Sequence, residues 1–478
     1  MNHFKSGLLY TAIGKYGYLL FQFILTAILG RLISVADFGK VAIIQVFIVL
    51  INVLIESGMG PAIIQNKSLQ KEDYQSLLGF SLTLASVFAI LFGFFGIFLS
   101  WFYSDSIYLT LTWVMSISIF FSGLSIVPTA VLNKAKRFKT VNFTMLTSSF
   151  IGGTTGIILA FNHFGIYALL INTICFSTLT FTLNYSFSKV GMIKRPSMVV
   201  IRKILGFSSR HFTYNFVNYI ALNGDNFLIG KFLGDQALGN YNISYQLLQM
   251  PATLLGGVFS PVLQPILSEY QDNVEFIKSL YLKLVHILLL IALPLSVFLS
   301  SSANDIIVFI YGSRWINAVF PFAVLSTMAW TQVVLASSAA FYLSRNRPDL
   351  LLNVGIKGTI ILILAVVIGL STDSLNNTAI AISTGMLVSF LVSTEILVHK
   401  VLQGKLKDVA KEAIPGIIAS LAVLVVMVLV ASLPITSIFV QLLIKGGAFV
   451  LILGGFILLT NEKNIILELF KSKDHEGR

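Results

Sequence analysis

The chain has 478 residues, 56% of them hydrophobic and only 11% charged, with a mean hydropathy of +0.88. No soluble domain of this length could bury so much apolar surface, which leaves a polytopic α-helical membrane protein. The net charge of +12 would suit a nucleic-acid binder, but the basic residues are sorted by loop, so nucleic acid is excluded as a partner and the charge reads as topology.

A bilayer core of roughly 30 Å takes about 20 helical residues to cross, and about fourteen apolar stretches of that length follow one another along the chain. They fall at 8–30, 41–63, 76–101, 108–132, 143–161, 165–187, 209–230, 242–267, 281–301, 318–343, 351–371, 377–398, 412–432 and 436–460. Met1 to Ser6 lacks the shape of a cleavable signal, and the first apolar run is long enough to stay as a span. With a cytoplasmic N-terminus, the inner loops hold Lys67, Lys71, Lys134, Lys136, Arg137 and Lys139, then the run Lys189, Lys194, Arg195, Arg202, Lys203 and Arg210. Further inner loops hold Arg345 and Arg347, and Lys400, Lys405, Lys407 and Lys411. The outer loops hold only Arg31, Lys40, Lys231 and Arg314. This asymmetry predicts a multi-pass protein of the cell membrane with both termini cytoplasmic.

Four of the spans carry polar stripes. Lys15 and Gln22 share a face of the first span; Gln45, Asn52 and Glu56 share one on the second. The seventh repeats the pattern with His211, Asn215, Asn218 and Asp225, and the eighth with Asn242, Tyr245, Gln246 and Gln249. Lipid cannot solvate such groups, so these stripes are expected to line a hydrated cleft. Lys15 and Glu56 fall at similar depth and either pair with each other or meet cargo. Asp225 either caps the end of its helix or faces the cleft. Lys357 lies two turns from the cytoplasmic face, where it would snorkel. Arg31 and Lys231 end their spans at matching positions, as structural groups or as an outer gate. Lys445, in the last span, receives no role. Pro61, Pro251, Pro261, Pro265 and Pro294 interrupt helices, either as hinges or as packing devices.

Two copies of one unit are visible. Gly30 through Gly39 aligns without gaps on Gly230 through Gly239, and the same offset pairs Pro61 with Pro261. Six spans precede the basic linker and six follow it, each set beginning on the cytoplasmic side, as parallel repeats do. The expected organisation is an N-terminal six-helix lobe at 1–188, a basic cytoplasmic linker at 189–208 and a second six-helix lobe at 209–400. Residues 401–478 add two helices and a charged tail. Two like lobes around a central cleft suit alternating access.

Enzymatic chemistry finds little support. Cys175 is the single cysteine, the six histidines have no ligand spacing, and there is no phosphate-binding loop. No catalytic residue, metal or cofactor is expected. A membrane glycosyltransferase or glycan polymerase would need a large outer loop rich in ionisable groups. The longest one expected, 302–317, offers only Asp305 and Arg314 as charged residues.

Several motifs resemble a known family. Glu56-Ser57-Gly58-Met59-Gly60-Pro61-Ala62-Ile63-Ile64-Gln65 resembles the acidic, glycine-rich second-span motif of the polysaccharide transporter family, the Wzx-like oligosaccharide flippases. These share a superfamily with multidrug exporters and lipid II flippases. Asp225 through Gly234 followed by Ala237 through Tyr241, the stretch Pro261 to Asp272, and Pro128 through Phe138 are similar to three further family motifs. Departures are Glu56 for the usual aspartate, Pro61 for a small residue and Lys231 for the usual arginine.

The resemblance implies a flippase that moves undecaprenyl-diphosphate-linked oligosaccharide from the inner to the outer leaflet of the bacterial cytoplasmic membrane, for surface polysaccharide assembly. It also implies glycosyltransferases and a polysaccharide polymerase as partners. Lys15 and Arg31 would then meet the diphosphate, while amide and hydroxyl side chains replace water around the sugar. A cation-coupled drug exporter of the same superfamily is the alternative, and would use Asp225 and Glu56 as its acidic site.

Overall fold

The computed structural model describes residues 2–460 and 462, except for the side chains of 2–13, 15, 57–58, 203–222, 257–262, 264–266 and 268–269. The described residues form helices and no strand. In the first half these are α1 (Asn2–Leu32), α2 (Val35–Gln65), α3 (Lys71–Tyr103), α4 (Ile107–Lys134), α5 (Phe138–Phe161), α6 (Ile166–Ser188) and α7 (Met198–Glu269). Then come α8 (Val274–Ser301), α9 (Ala303–Tyr311), α10 (Ile316–Ser326), α11 (Ala329–Ser344), α12 (Pro348–Leu370) and α13 (Leu375–Ile396). The last are α14 (Leu406–Glu412), α15 (Ile414–Ala431) and α16 (Ile438–Leu459).

Among the described residues ten helices are long and apolar enough to cross a membrane, or eleven if α10 and α11, bent by 54° at residues 327–328, make one span. The predicted seventh and eighth spans both fall in α7, which breaks at Gly234 (φ 83°, ψ 172°), a conformation that glycine alone adopts cheaply. The expected outer loop at 302–317 is partly helical: α9 buries Ile306 and Ile307 and carries Asp305 inward. Along α3, α15 and α16 large apolar side chains such as Trp101, Leu421 and Leu459 stand exposed. Faces of this kind are at home in hydrocarbon and not in water.

Local signals set the helix ends. Ser34 Oγ accepts from Asp37 N at 3.1 Å at the start of α2, and Asn273 Oδ1 accepts from Phe276 N at 3.0 Å at the start of α8. Asp73 and Asp408 reach back to the backbone N–H of Gln70 and Lys405, each at 3.1 Å. At the C-terminus of α3, Ser104 turns left-handed (φ 56°) and reverses the chain into α4. Within hydrocarbon, tight packing distinguishes a folded bundle from separate helices. Gly93 and Gly96 of α3 accordingly leave room for Trp113 and Thr112 of α4, and Gly416 brings α15 onto the Leu289 carbonyl of α8.

By their contacts the residues form two compact units, Met1–Gly239 and Asn240–Arg478, so the contact boundary falls inside α7. The boundary expected from the sequence lies earlier, at 189–208, and rests on internal likeness, which is a different property from contact.

The first unit packs α1 on α5 and α6 through Leu25, Leu29, Ala160, Ala168 and Leu169. Residues 189–197 are docked on the N-terminal end of α3. Lys194 N donates to Gln75 O at 3.2 Å, Ser197 N to Ser76 Oγ at 2.8 Å, and Gln75 Nε2 to Val190 O at 3.3 Å.

The second unit centres on α8, where Tyr281, Leu284 and Leu288 meet Val334, Phe341 and Phe390. Two buried polar clusters tie the C-terminal helices to it. Lys445 of α16 pairs with Asp305 of α9 at 2.6 Å, with both side chains almost fully buried. His286 of α8 faces Glu412 at 2.9 Å through Nδ1 and Glu462 at 2.5 Å through Nε2.

A polar cavity inside the first unit

The polar stripe predicted on the second span divides on folding. Gln45 and Glu56 are exposed and Asn52 is half-buried; of the three, Asn52 and Glu56, one helical turn apart, line a cavity of about 340 Å³. Its walls are Asn52, Glu56, Gly60, Pro61 and Ile64 of α2, Ser122, Ser125, Ile126, Thr129, Ala130 and Asn133 of α4, and Phe176, Ser177 and Thr180 of α6. All belong to the first unit. α2 remains helical through Pro61, whose ring sits in the cavity wall; the helix loses one backbone hydrogen bond there.

The walls differ in how far their polar groups are satisfied. On α4, Thr129 Oγ1 donates to Ser125 O at 2.7 Å and accepts from Asn184 Nδ2 at 2.9 Å. Asn184, 1% exposed, in turn accepts from Thr144 Oγ1 at 2.7 Å. This chain crosses α5, α6 and α4 and fixes the back of the cavity. On α6, Thr173, Ser177, Thr182 and Ser186 close on backbone carbonyls of their own helix. Thr180 does not: its hydroxyl is buried without a hydrogen-bond partner, as is Asn52 Oδ1. Such groups are uncommon and costly at membrane depth. Glu56 makes no ion pair among the described residues. Beside the cavity Lys134, next to Asn133, donates from Nζ to Asn66 O at 2.5 Å and lies 5.3 Å from the Tyr74 ring centre. Its charge is thereby committed to the C-terminus of α2.

Other predicted site residues lie elsewhere. Gln22 of α1 donates from Nε2 to Ser149 Oγ of α5 at 3.1 Å. Asp225 is half-buried and accepts from Asn226 N at 2.9 Å. Arg31 is exposed; Lys231, also exposed, donates to the Phe102 carbonyl and sits over the Phe102 ring at 4.5 Å. In the second unit Asn242 is half-buried, Gln246 is exposed, and Gln249 Nε2 donates to Tyr245 Oη at 3.0 Å. The side chains of Lys15, His211, Asn215 and Asn218 lie outside the described residues.

The α4 and α6 walls went unread in the sequence, although their signal is there. Ser122, Ser125, Thr129 and Asn133, and likewise Thr173, Ser177, Thr180 and Asn184, recur at helical spacing on one face. No group of three or more metal-ligating side chains occurs among the described residues.

Residues 28–320 match a family described as "Polysaccharide biosynthesis protein". The chain is 22% identical over 355 residues to the teichuronic acid biosynthesis protein TuaB of Bacillus subtilis, covering 72% of each. A membrane protein of the cps region of Klebsiella pneumoniae is 22% identical over 471 residues, 92% of this chain and 93% of its own. Among solved structures, the lipid II flippase MurJ in an inward closed conformation aligns with a TM-score of 0.75 at 17% identity, over 96% of this chain and 100% of its own.

Proposed function

Because the chain belongs to the polysaccharide biosynthesis protein family, we propose that it is a flippase that carries a polyprenyl-diphosphate-linked oligosaccharide from the cytoplasmic to the outer leaflet by alternating access. The observation that supports this most is the cavity of α2, α4 and α6, where hydroxyl, amide and carboxylate groups face open space at membrane depth. Hydrated polar cargo cannot enter hydrocarbon without a substitute for its water, and such a wall supplies one. The lipid tail stays in the bilayer while the head passes through protein. In this reading Lys15 and Arg31 serve the diphosphate, and the protein resides in the cytoplasmic membrane with both termini inside. Glycosyltransferases supply the cargo and a polymerase consumes it. No covalent bond changes, so the protein acts as a transporter.

The test is translocation of lipid-diphosphate-linked oligosaccharides in proteoliposomes. Native protein moves the cargo and Lys15→Ala slows it at least tenfold, by loss of a charged contact to the diphosphate. Cation-driven efflux of small drugs, with no lipid-linked glycan moved, would replace this reading with that of an exporter.

A further inference from the structure

We propose that the cavity of α2, α4 and α6 is a subsite for one uncharged sugar residue of the cargo, and that it discriminates against sugars bearing a carboxylate or phosphate. This rests on the flippase reading and specifies the chemistry of that site.

The argument is one of unmet hydrogen-bonding demand. Thr129 is already saturated by Ser125 and Asn184. What stays open is the Asn52 Oδ1 acceptor and the Thr180 hydroxyl, both buried without a partner, and the exposed Glu56 carboxylate at the cavity wall. Three of these four oxygens can only accept, so the missing partner must donate. A diphosphate or a uronic acid brings acceptors and negative charge, and among the described lining residues would face Glu56 with no compensating cation: Glu56 is the only charged group there, and Lys134 is occupied at Asn66. Sugar hydroxyls match. Two neighbouring hydroxyls of a pyranose can each donate to one oxygen of Glu56, and bonds to an ionised acceptor are the strong ones. Thr180 and Asn52 then meet a third and fourth position, and the Phe176 ring offers an apolar wall to the C–H face.

Size and shape agree. A cavity of about 340 Å³ lies at the low end of small-molecule sites, enough for one monosaccharide and too small for a repeat unit with its diphosphate. A single bound cation fits less well. It would leave most of that volume empty, and only one carboxylate stands in the wall.

The test is binding to the full-length protein in nanodiscs. The probes are methyl glycosides of glucose, galactose, mannose and their N-acetylamino forms, set against methyl glucuronide and galacturonide. Saturation-transfer NMR and the thermal midpoint give the readout. At least one neutral glycoside should bind, and the uronides at least tenfold more weakly. Glu56→Gln should weaken the neutral sugar about 10- to 100-fold and narrow the gap to the uronides. Thr180→Val should weaken it several-fold, while Thr180→Ser, which keeps the hydroxyl, restores it. Equal binding of neutral and acidic sugars, or a preference unchanged by Glu56→Gln, overturns the proposal. So does protection by sodium or protons with none by sugars. Proteoliposome transport separates the two readings: transport without sugar selectivity removes the subsite alone, and selective binding without transport removes the flippase.

Discussion

Gly39 and Gly239, equivalent positions of the internal repeat, make reciprocal contacts. A β-carbon on Gly39 would overlap the backbone carbonyl of Asp235, and one on Gly239 would overlap that of Val35. The repeat offset that carries 39 to 239 also carries 35 to 235, so the two segments meet about a local twofold axis. The surrounding polar groups hold the meeting point. Tyr108 Oη donates to Asp235 Oδ1 at 2.8 Å, and Lys40 Nζ lies 2.6 Å from Asp105 and 3.9 Å from Asp235. Gly39→Ala and Gly239→Ala should each cost about 1–3 kcal/mol through forced separation of the two backbones. Thermal unfolding in detergent reads the loss, and Gly355→Ala, where a β-carbon meets nothing within 4 Å, serves as comparison.

The Lys445–Asp305 pair accounts for a lysine that sequence reasoning left without a role. Both partners are buried, so removing one strands a charge in the bundle. Lys445→Met alone should destabilise the second unit by about 3–5 kcal/mol. Lys445→Met with Asp305→Leu should recover most of that loss, because an apolar pair needs no desolvation. A double-mutant cycle on chemical unfolding gives the coupling directly.

Much of the architecture was legible because hydrocarbon imposes simple demands. Apolar runs of sufficient length are helices, and Asn52 and Glu56 line one cavity together with α4 and α6. Two things escaped. Ser125, Thr129 and Thr180 were passed over because serine and threonine in a helix usually bond to their own backbone, as Thr173 and Thr182 do here. Only coordinates reveal that Thr180 breaks the habit. The stretch 302–317 reads as a loop for want of length, yet α9 is helical and can carry Asp305 inward because that carboxylate has a buried partner 140 residues away. Long-range pairing of this kind leaves no local pattern.

The Lys40–Asp105 ion pair sets a pH dependence. Partial burial alone would push the Asp105 carboxyl up; the hydrogen bonds from Lys40 and the Ile107 N–H, with the lysine charge, outweigh it and hold the group below its ordinary range. A carboxyl with a depressed folded value stabilises the native state above its unfolded value of about 4, and the contribution disappears as pH falls through the folded value. The thermal midpoint of the native protein should therefore exceed that of Lys40→Met by a constant margin from pH 7 to about pH 5. Below about pH 4 the two curves should converge. A margin that instead shrinks between pH 7 and pH 6 would assign the effect to another group.

Asn184 links the stability of the first unit to the shape of its cavity. Its amide nitrogen donates to Thr129 and its oxygen accepts from Thr144, so one buried side chain joins three helices behind the site. Asn184→Leu has comparable volume and removes both bonds, leaving the Thr129 hydroxyl with Ser125 O and that of Thr144 with Val141 O. The expected cost is about 1–3 kcal/mol. Freed from Asn184, Thr129 can turn toward the cavity and compete for the hydroxyls that Glu56 and Thr180 should hold. Neutral-glycoside affinity should then fall several-fold without any contact residue having changed. Asn184→Asp keeps the acceptor for Thr144 and loses the donor to Thr129, so it should lose affinity by a similar factor. Measuring unfolding and glycoside binding on both variants separates the two halves of the network. If Asn184→Asp binds as the native protein does, Thr129 has no part in shaping the site.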